Sequence, residues 1–186
     1  MTSVSALNNV HKSGLFGNYE NKNEENLIKV SEIKNLLIVQ IVQYKNSKIL
    51  LGDLNIDNLK LKNEPLTVVC NNDTRILWNG PNNWLLVSTK KDLLKNITET
   101  FKESDFAVTD LSHSKAIIEL EGENSKEVLK KGCPYNFNEL NNNICVNSVF
   151  NGDSAKSFCP IIFFPSFTIA SEKGLSYSTL QHDADT

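Results

Sequence analysis

The sequence predicts an α+β fold, and three observations carry that reading. Two stretches repeat their apolar residues at helical spacing, KKDLLKNITETFKES and SKEVLKK, and they sit among short runs rich in Val, Ile, Leu and Trp. From Trp84 onward the elements alternate strand, helix, strand, strand, helix, strand, which is the order of the ferredoxin-like split βαβ unit, an antiparallel sheet with both helices on one face. The third observation is size: 186 residues, 40% of them hydrophobic and 22% charged, suffice for a buried core without metal or disulfide support.

In chain order, residues 1–30 are polar, with Gly14, Gly17 and the acidic pair Glu24 and Glu25, and show no sustained period. They read as an extended N-terminal arm. Val4, Leu7, Leu15 and Phe16 are apolar groups that a wholly disordered tail does not need, so the arm is expected to lie against its own domain or a partner. The α+β domain is expected over residues 31–152. It begins with NLLIVQIVQY, Asn35 to Tyr44, dense in β-branched residues and suited to a strand; KILLGDL follows as a second apolar burst. Residues 55–65 read as a polar surface loop. RILWNGPNNWLLVST gives two strands, Arg75–Trp78 and Trp84–Ser88, around a turn built on Asn-Gly and Gly-Pro.

Leu93, Leu94, Ile97 and Phe101 then form one apolar face of a helix over residues 90–103, with Thr89 and Asp92 spaced as a capping box. Strands Ala107–Leu111 and Lys115–Glu121 are joined through Ser112-His113-Ser114. A second helix, Ser125–Lys131, has Asn124 and Glu127 at its start, Gly132 at its end and Pro134 beyond. CVNSVF, Cys145–Phe150, closes a ferredoxin-like core over residues 84–150, and the earlier strands extend or flank its sheet. Residues 153–186 form an atypical C-terminal segment with no helical period and with Pro160 and Pro165.

A net charge of −3 offers no basic stripe for nucleic acid. No run reaches the ~18 apolar residues of a membrane helix, and the first twenty residues lack the apolar core of a signal peptide. The chain is therefore expected to be cytoplasmic, bound to neither nucleic acid nor membrane. Cys70, Cys133, Cys145 and Cys159 lie far apart and are expected to be buried or half-buried structural thiols. The three histidines, His11, His113 and His182, show no metal-ligand spacing, and no phosphate-binding glycine loop is present.

The chemistry worth weighing lies in VTDLSHSKAIIELEG, residues 108–122, where Asp110, Ser112 and His113 fall within four positions. Nucleophilic catalysis requires an ordered relay of side-chain hydrogen bonds, and adjacent residues on a strand point to opposite faces. The simpler reading makes Asp110 and Ser112 acceptors of backbone N–H groups in a turn, with His113 left for a partner contact. Cys133 follows a helix C-terminus, where the dipole disfavours a thiolate. Trp78 and Trp84 suit a core more than a stacking platform. The residues alone describe a non-catalytic domain.

Four motifs in order resemble one family. They are Ser5–Leu7 with Lys12–Gly17 (SAL, then KSGLFG), ILWNGPNNWLLVS, VTDLSHSKAIIELEG and EVLKKGCPYNF. Over residues 5–150 the chain is similar to the gamma subunit of heterotetrameric sarcosine oxidase. That resemblance implies a bacterial complex of alpha, beta, gamma and delta subunits that oxidatively demethylates sarcosine to glycine, passes the one-carbon unit to tetrahydrofolate and releases hydrogen peroxide. It implies that FAD, FMN and NAD belong to alpha and beta, and zinc to delta. The gamma subunit would have a fold like folate-binding aminomethyltransferase domains, with no cofactor or catalytic residue of its own, and Leu7, Leu15, Phe16 and His113 would be contacts to the larger subunits. Two rivals remain: a free-standing folate-binding module that sets Trp78 or Trp84 beside Asp110, and a small hydrolase using Ser112 and His113. After Gly152 the family pattern continues to a C-terminal helix, and this sequence departs from it; the departure would leave an apolar sheet edge uncovered.

Overall fold

The apolar runs LIVQIVQ and NWLLVS are nearly unbroken because their strands are covered on both faces. In the computed structural model, residues 12–17, 27–122, 124–139 and 144–150 are described, together with the strands at 153–158, 161–163 and 168–170. The elements are β1 (Gly14–Phe16), β2 (Ile28–Ile33), β3 (Leu37–Gln43), β4 (Asn55–Ile56), β5 (Leu59–Lys60), β6 (Val68–Cys70), β7 (Thr74–Gly80) and β8 (Asn83–Ser88), then α1 (Leu93–Thr100), β9 (Phe106–Asp110) and β10 (Ile117–Glu121). After α2 (Ser125–Gly132) come β11 (Cys145–Phe150), β12 (Asp153–Phe158), β13 (Ile161–Phe163) and β14 (Thr168–Ala170). The fold is mixed α+β, antiparallel throughout its described strand pairs, with few helices.

Strands β6-β7-β8-β3-β9 form a five-stranded sheet, and β1-β2-β10-β13-β12-β11 form a second, with β14 on β13. Period-2 alternation divides each strand's apolar residues between two cores. In the five-stranded sheet, Leu37, Val39, Ile41, Ile76, Trp84 and Leu86 meet Leu93 and Ile97 of α1. Their neighbours Ile38, Leu77, Leu85 and Val87 turn the other way and pack with Ile117 and Cys145 of the second sheet. On that sheet's far face Ile28, Val30, Ile118, Leu120 and Val146 meet Leu129 of α2, with Phe137 beneath. The layers are helix, sheet, sheet, helix. Each fully buried Leu or Ile contributes about 1.5–3 kcal/mol.

The single ferredoxin-like sheet expected over residues 84–150 is therefore not what forms. Asn83–Ser88 and Phe106–Asp110 lie in one sheet, Ile117–Glu121 and Cys145–Phe150 in the other, and the two helices cover different sheets. Among the described residues the chain passes between these two sheets twice. One crossing is the Lys34–Leu36 link between β2 and β3, where Asn35 adopts φ 63°; the other is the turn between β9 and β10. Leu36 and Leu111, one from each link, pack against the intersheet core. The tight connection through Ser112-His113-Ser114 is thus a crossover between sheets and not the turn of a hairpin, because β9 pairs with β3 and β10 with β2.

Other expectations shift locally. The arm does not extend to residue 30: Ile28 and Val30 are core residues of β2, and Gly14–Phe16 pairs with Ile28–Val30. Residues 55–65 are more than a surface loop, since Ile56 and Leu61 are buried and β4 and β5 form a hairpin. Asp57 and Asn58, at φ 50° and 63°, supply the left-handed pair that such a two-residue turn demands. α1 is shorter than residues 90–103, and neither it nor α2 has a side-chain cap bond. KILLGDL contains a short 3-10 turn, Leu51–Asp53.

Candidate functional site

Asp110 ends β9 at the edge of the five-stranded sheet, and the chain then turns over Ser112–Ser114. The Asp110 carboxylate accepts the Ser112 backbone N–H at 2.9 Å and the Ser112 hydroxyl at 2.5 Å. Ser112 Oγ in turn accepts the Ile38 backbone N–H at 3.0 Å, while Leu111 N donates to Ile38 O at 2.8 Å. The β3–β9 ladder is thus continued by a side chain where the backbone leaves the sheet. The hydroxyl proton of Ser112 is directed at Asp110, so no relay runs from Ser112 to His113. His113 is exposed and makes no hydrogen bond among the described residues. The sequence brings the three residue types together; the fold joins two of them as turn acceptors and leaves the third in solvent.

A second polar cluster, absent from the sequence reading, is built on Asp57. Lys90 Nζ lies 2.8 and 3.0 Å from its two carboxylate oxygens and 3.2 Å from Asp73 Oδ2. Thr74 Oγ1 donates to Asp57 Oδ2 at 2.7 Å, and Asn71 Nδ2 reaches the same oxygen at 3.0 Å. Thr74 also shares a 2.8 Å hydrogen bond with Ser88. The Lys90 ammonium, followed by the Thr74 and Asn71 donors, lowers the Asp57 carboxyl to about 2, and Asp57 with Asp73 raises Lys90. A general base works best with a pKa near the operating pH. Asp57 is instead held as a permanent anion that ties the β4–β5 hairpin to the start of β7 and the end of β8. Asp57-Asn58, an Asx pair between Ile56 and Leu59, marks the turn in the sequence, but nothing local marks the partners that gather on it.

The tryptophans serve the cores. Trp84 is buried against α1 and donates Nε1–H to Lys62 O at 2.7 Å. Trp78 packs on the intersheet cluster. Asp110 sits on edge strand β9, two strands from β8 and three from β7, with its carboxylate committed to Ser112. Cys133 and Cys145 are buried free thiols and Cys70 is exposed, which differs from the expectation for Cys70. Cys145 Sγ points at the carbonyls of Thr67 and Trp78, at 3.4 and 3.3 Å. Among the described residues no three His, Cys, Asp or Glu side chains are grouped as metal ligands would be. No helix among them is long and apolar enough to cross a membrane.

Of the expected partner contacts, Leu15 is 51% exposed on β1, while Phe16 packs inward against the α2 core. Leu7 lies outside the described residues, as do Val4, His11, Cys159, His182 and the whole interval 171–186.

Comparison with known proteins places these features. The sequence profile described as Sarcosine oxidase, gamma subunit family matches residues 57–168, more than half of the chain. The interval starts at Asp57, includes the side chains of both polar clusters and continues past Gly152 to the first residue of β14. The arm motifs at residues 5–17 fall outside it. No curated protein matches the chain. Among solved structures the chain is similar to one from heterotetrameric sarcosine oxidase of Corynebacterium sp. U-96, in complex with pyrrole 2-carboxylate. The TM-score is 0.63 with 19% identity over 75% of each chain, a likeness of fold.

Proposed function

Because the chain belongs to the sarcosine oxidase gamma subunit family, we propose that it acts as a non-catalytic subunit, lending a shaped surface to partners that carry the chemistry. The complex is a heterotetramer whose alpha, beta and delta subunits accompany this chain in the cytoplasm. Those partners hold FAD, FMN, NAD and zinc, bind tetrahydrofolate, and oxidise sarcosine to glycine with release of hydrogen peroxide. The observation that carries the reading is the profile match over residues 57–168, since it covers four of the five strands of the five-stranded sheet, both helices and the side chains of both polar clusters together. The side chains agree with it. Asp110, Ser112 and Asp57 spend their hydrogen-bonding capacity on holding strands in place, and the two tryptophans on packing.

The test is purification of the chain alone and in co-expression with the three other subunits. Alone it is expected neither to consume oxygen with sarcosine nor to retain flavin absorbance. Co-expressed, it is expected to elute with its partners at a stoichiometric ratio. Turnover by the isolated chain, or elution apart from co-expressed partners, would overturn the reading.

A further inference from the structure

One end of the five-stranded sheet gathers most of the exposed apolar side chains. Among the described residues the large exposed ones are Leu15, Tyr44, Ile49, Leu50 and Leu66. Leu15 belongs to β1 of the other sheet. Tyr44, Ile49 and Leu50 follow the end of β3, where Gln43 N donates to Asn82 O at 2.8 Å; Leu66 precedes β6 at the same end of the sheet, its carbonyl accepting Cys145 N at 2.7 Å, and Asn63 Nδ2, in the segment before it, donates to Asn82 Oδ1 of the β7–β8 turn at 2.7 Å.

The segment Tyr44–Leu50 is rigid for a loop. Ser47 N donates to Tyr44 O at 3.0 Å, Gln43 Nε2 to Ile49 O at 2.8 Å, and Ile49 N to Ser47 Oγ at 3.2 Å, while Tyr44 N is held by Asp105 O at 2.8 Å. Leu50, directly after these bonds and at the start of the 3-10 turn, is 70% exposed. An ordered loop favours docking, because a surface whose exposed anchors are fixed beforehand loses less conformational freedom on binding. Leu66 supports the same conclusion independently. It occupies the third position of the Glu64–Thr67 turn at φ 65°, a left-handed backbone that favours glycine, yet it is a leucine with 43% of its surface exposed.

We propose that this end of the sheet, with Leu50 on one side and Leu66 on the other, is the surface on which a partner subunit of the complex seats. The proposal rests on the subunit reading above. The partner's matching surface is apolar and edged with carboxylates. Lys45 and Lys48 flank the exposed residues and have no ion pair among the described residues, and the adjacent Asp105 is already bonded to Ser104. A second copy of this chain fits less well, because a twofold contact through the loop would set these lysines against their own counterparts.

The experiment is recovery of the chain on a tagged partner subunit from cells expressing all four. Leu50→Asp is expected to lower recovery at least about tenfold, and Leu66→Gly to lower it by a smaller factor. Both isolated variants should melt within a few degrees of the wild type, because neither side chain is buried. Lys45→Glu with Lys48→Glu should slow association most at low salt. Lys95→Ala, on the exposed face of α1, is the control that leaves recovery unchanged. Wild-type assembly matched by Leu50→Asp would overturn the surface and spare the subunit reading; failure of the wild type to assemble would overturn both. A large fall in the melting temperature of isolated Leu50→Asp would show this chain's own residues covering the loop. A wild-type dimer abolished by Leu50→Asp would show a second copy there. Either result would end the proposal.

Discussion

Asp57 draws an ammonium, a hydroxyl and an amide onto a side chain only 13% exposed. Its folded pKa of about 2 lies below the ordinary 3.8, so its stabilising contribution is present above pH 4 and is lost as pH falls through 2. Lys90 is shifted upward, and its share fades only on the alkaline side, as pH rises past its folded value. Asp57→Asn is therefore expected to cost about 1–2 kcal/mol in urea denaturation at pH 7. The gap between variant and wild type should close as the titration moves from pH 4 toward pH 2. A constant gap across that range would mean that the ion pair contributes nothing. At the same scale, the Ser112 turn was legible in the sequence because Asx and Ser capping is local. The Asp57 cluster was not, because Asn71, Asp73, Thr74 and Lys90 reach it from distant positions.

Elements were read well where their signal is local. The β7–β8 turn, the apolar face of α1 and the Cys145–Phe150 strand are each specified by a few consecutive residues. β2 was missed because IKVSEI alternates only briefly and follows a polar stretch, and β4 and β5 because two-residue strands have no period. Thr89 does not cap α1: its hydroxyl lies 3.5 Å from Asp73 Oδ1, a partner that only the tertiary fold supplies. Strand pairing was the larger gap, since alternation identifies a strand without naming its neighbour. Where β10 ends, Gly122 makes such a neighbour explicit. It adopts φ 138°, and a Cβ there would stand 2.8 Å from Leu27 O, so the close approach of the chain before β2 requires glycine. Gly122→Ala is expected to cost about 2 kcal/mol or more, lowering the melting temperature by about 4–8 °C. An unchanged melting temperature would show that the backbone there yields freely.

For the molecule as a whole, the intersheet cluster decides how unfolding proceeds. Leu77 from one sheet and Ile117 from the other are both fully buried in it. Truncating a residue common to two layers cannot be absorbed by either alone. Leu77→Ala is expected to cost about 2–5 kcal/mol. It should move the tryptophan transition, which reports the five-stranded sheet, together with the far-UV transition, which reports both. Separation of the two curves would mean that the sheets are independent units.

The paired sheet crossings also order events at the ribosome. Every strand of the five-stranded sheet lies between Leu37 and Asp110, so that sheet can close as soon as this interval has emerged. The segment Ile28–Ile33 leaves the exit tunnel before that interval, yet its main partner, Ile117–Glu121, is among the later arrivals. During translation this early strand therefore waits beside a finished neighbour with one edge open, and nascent chains stalled before residue 117 should present that edge to chaperones.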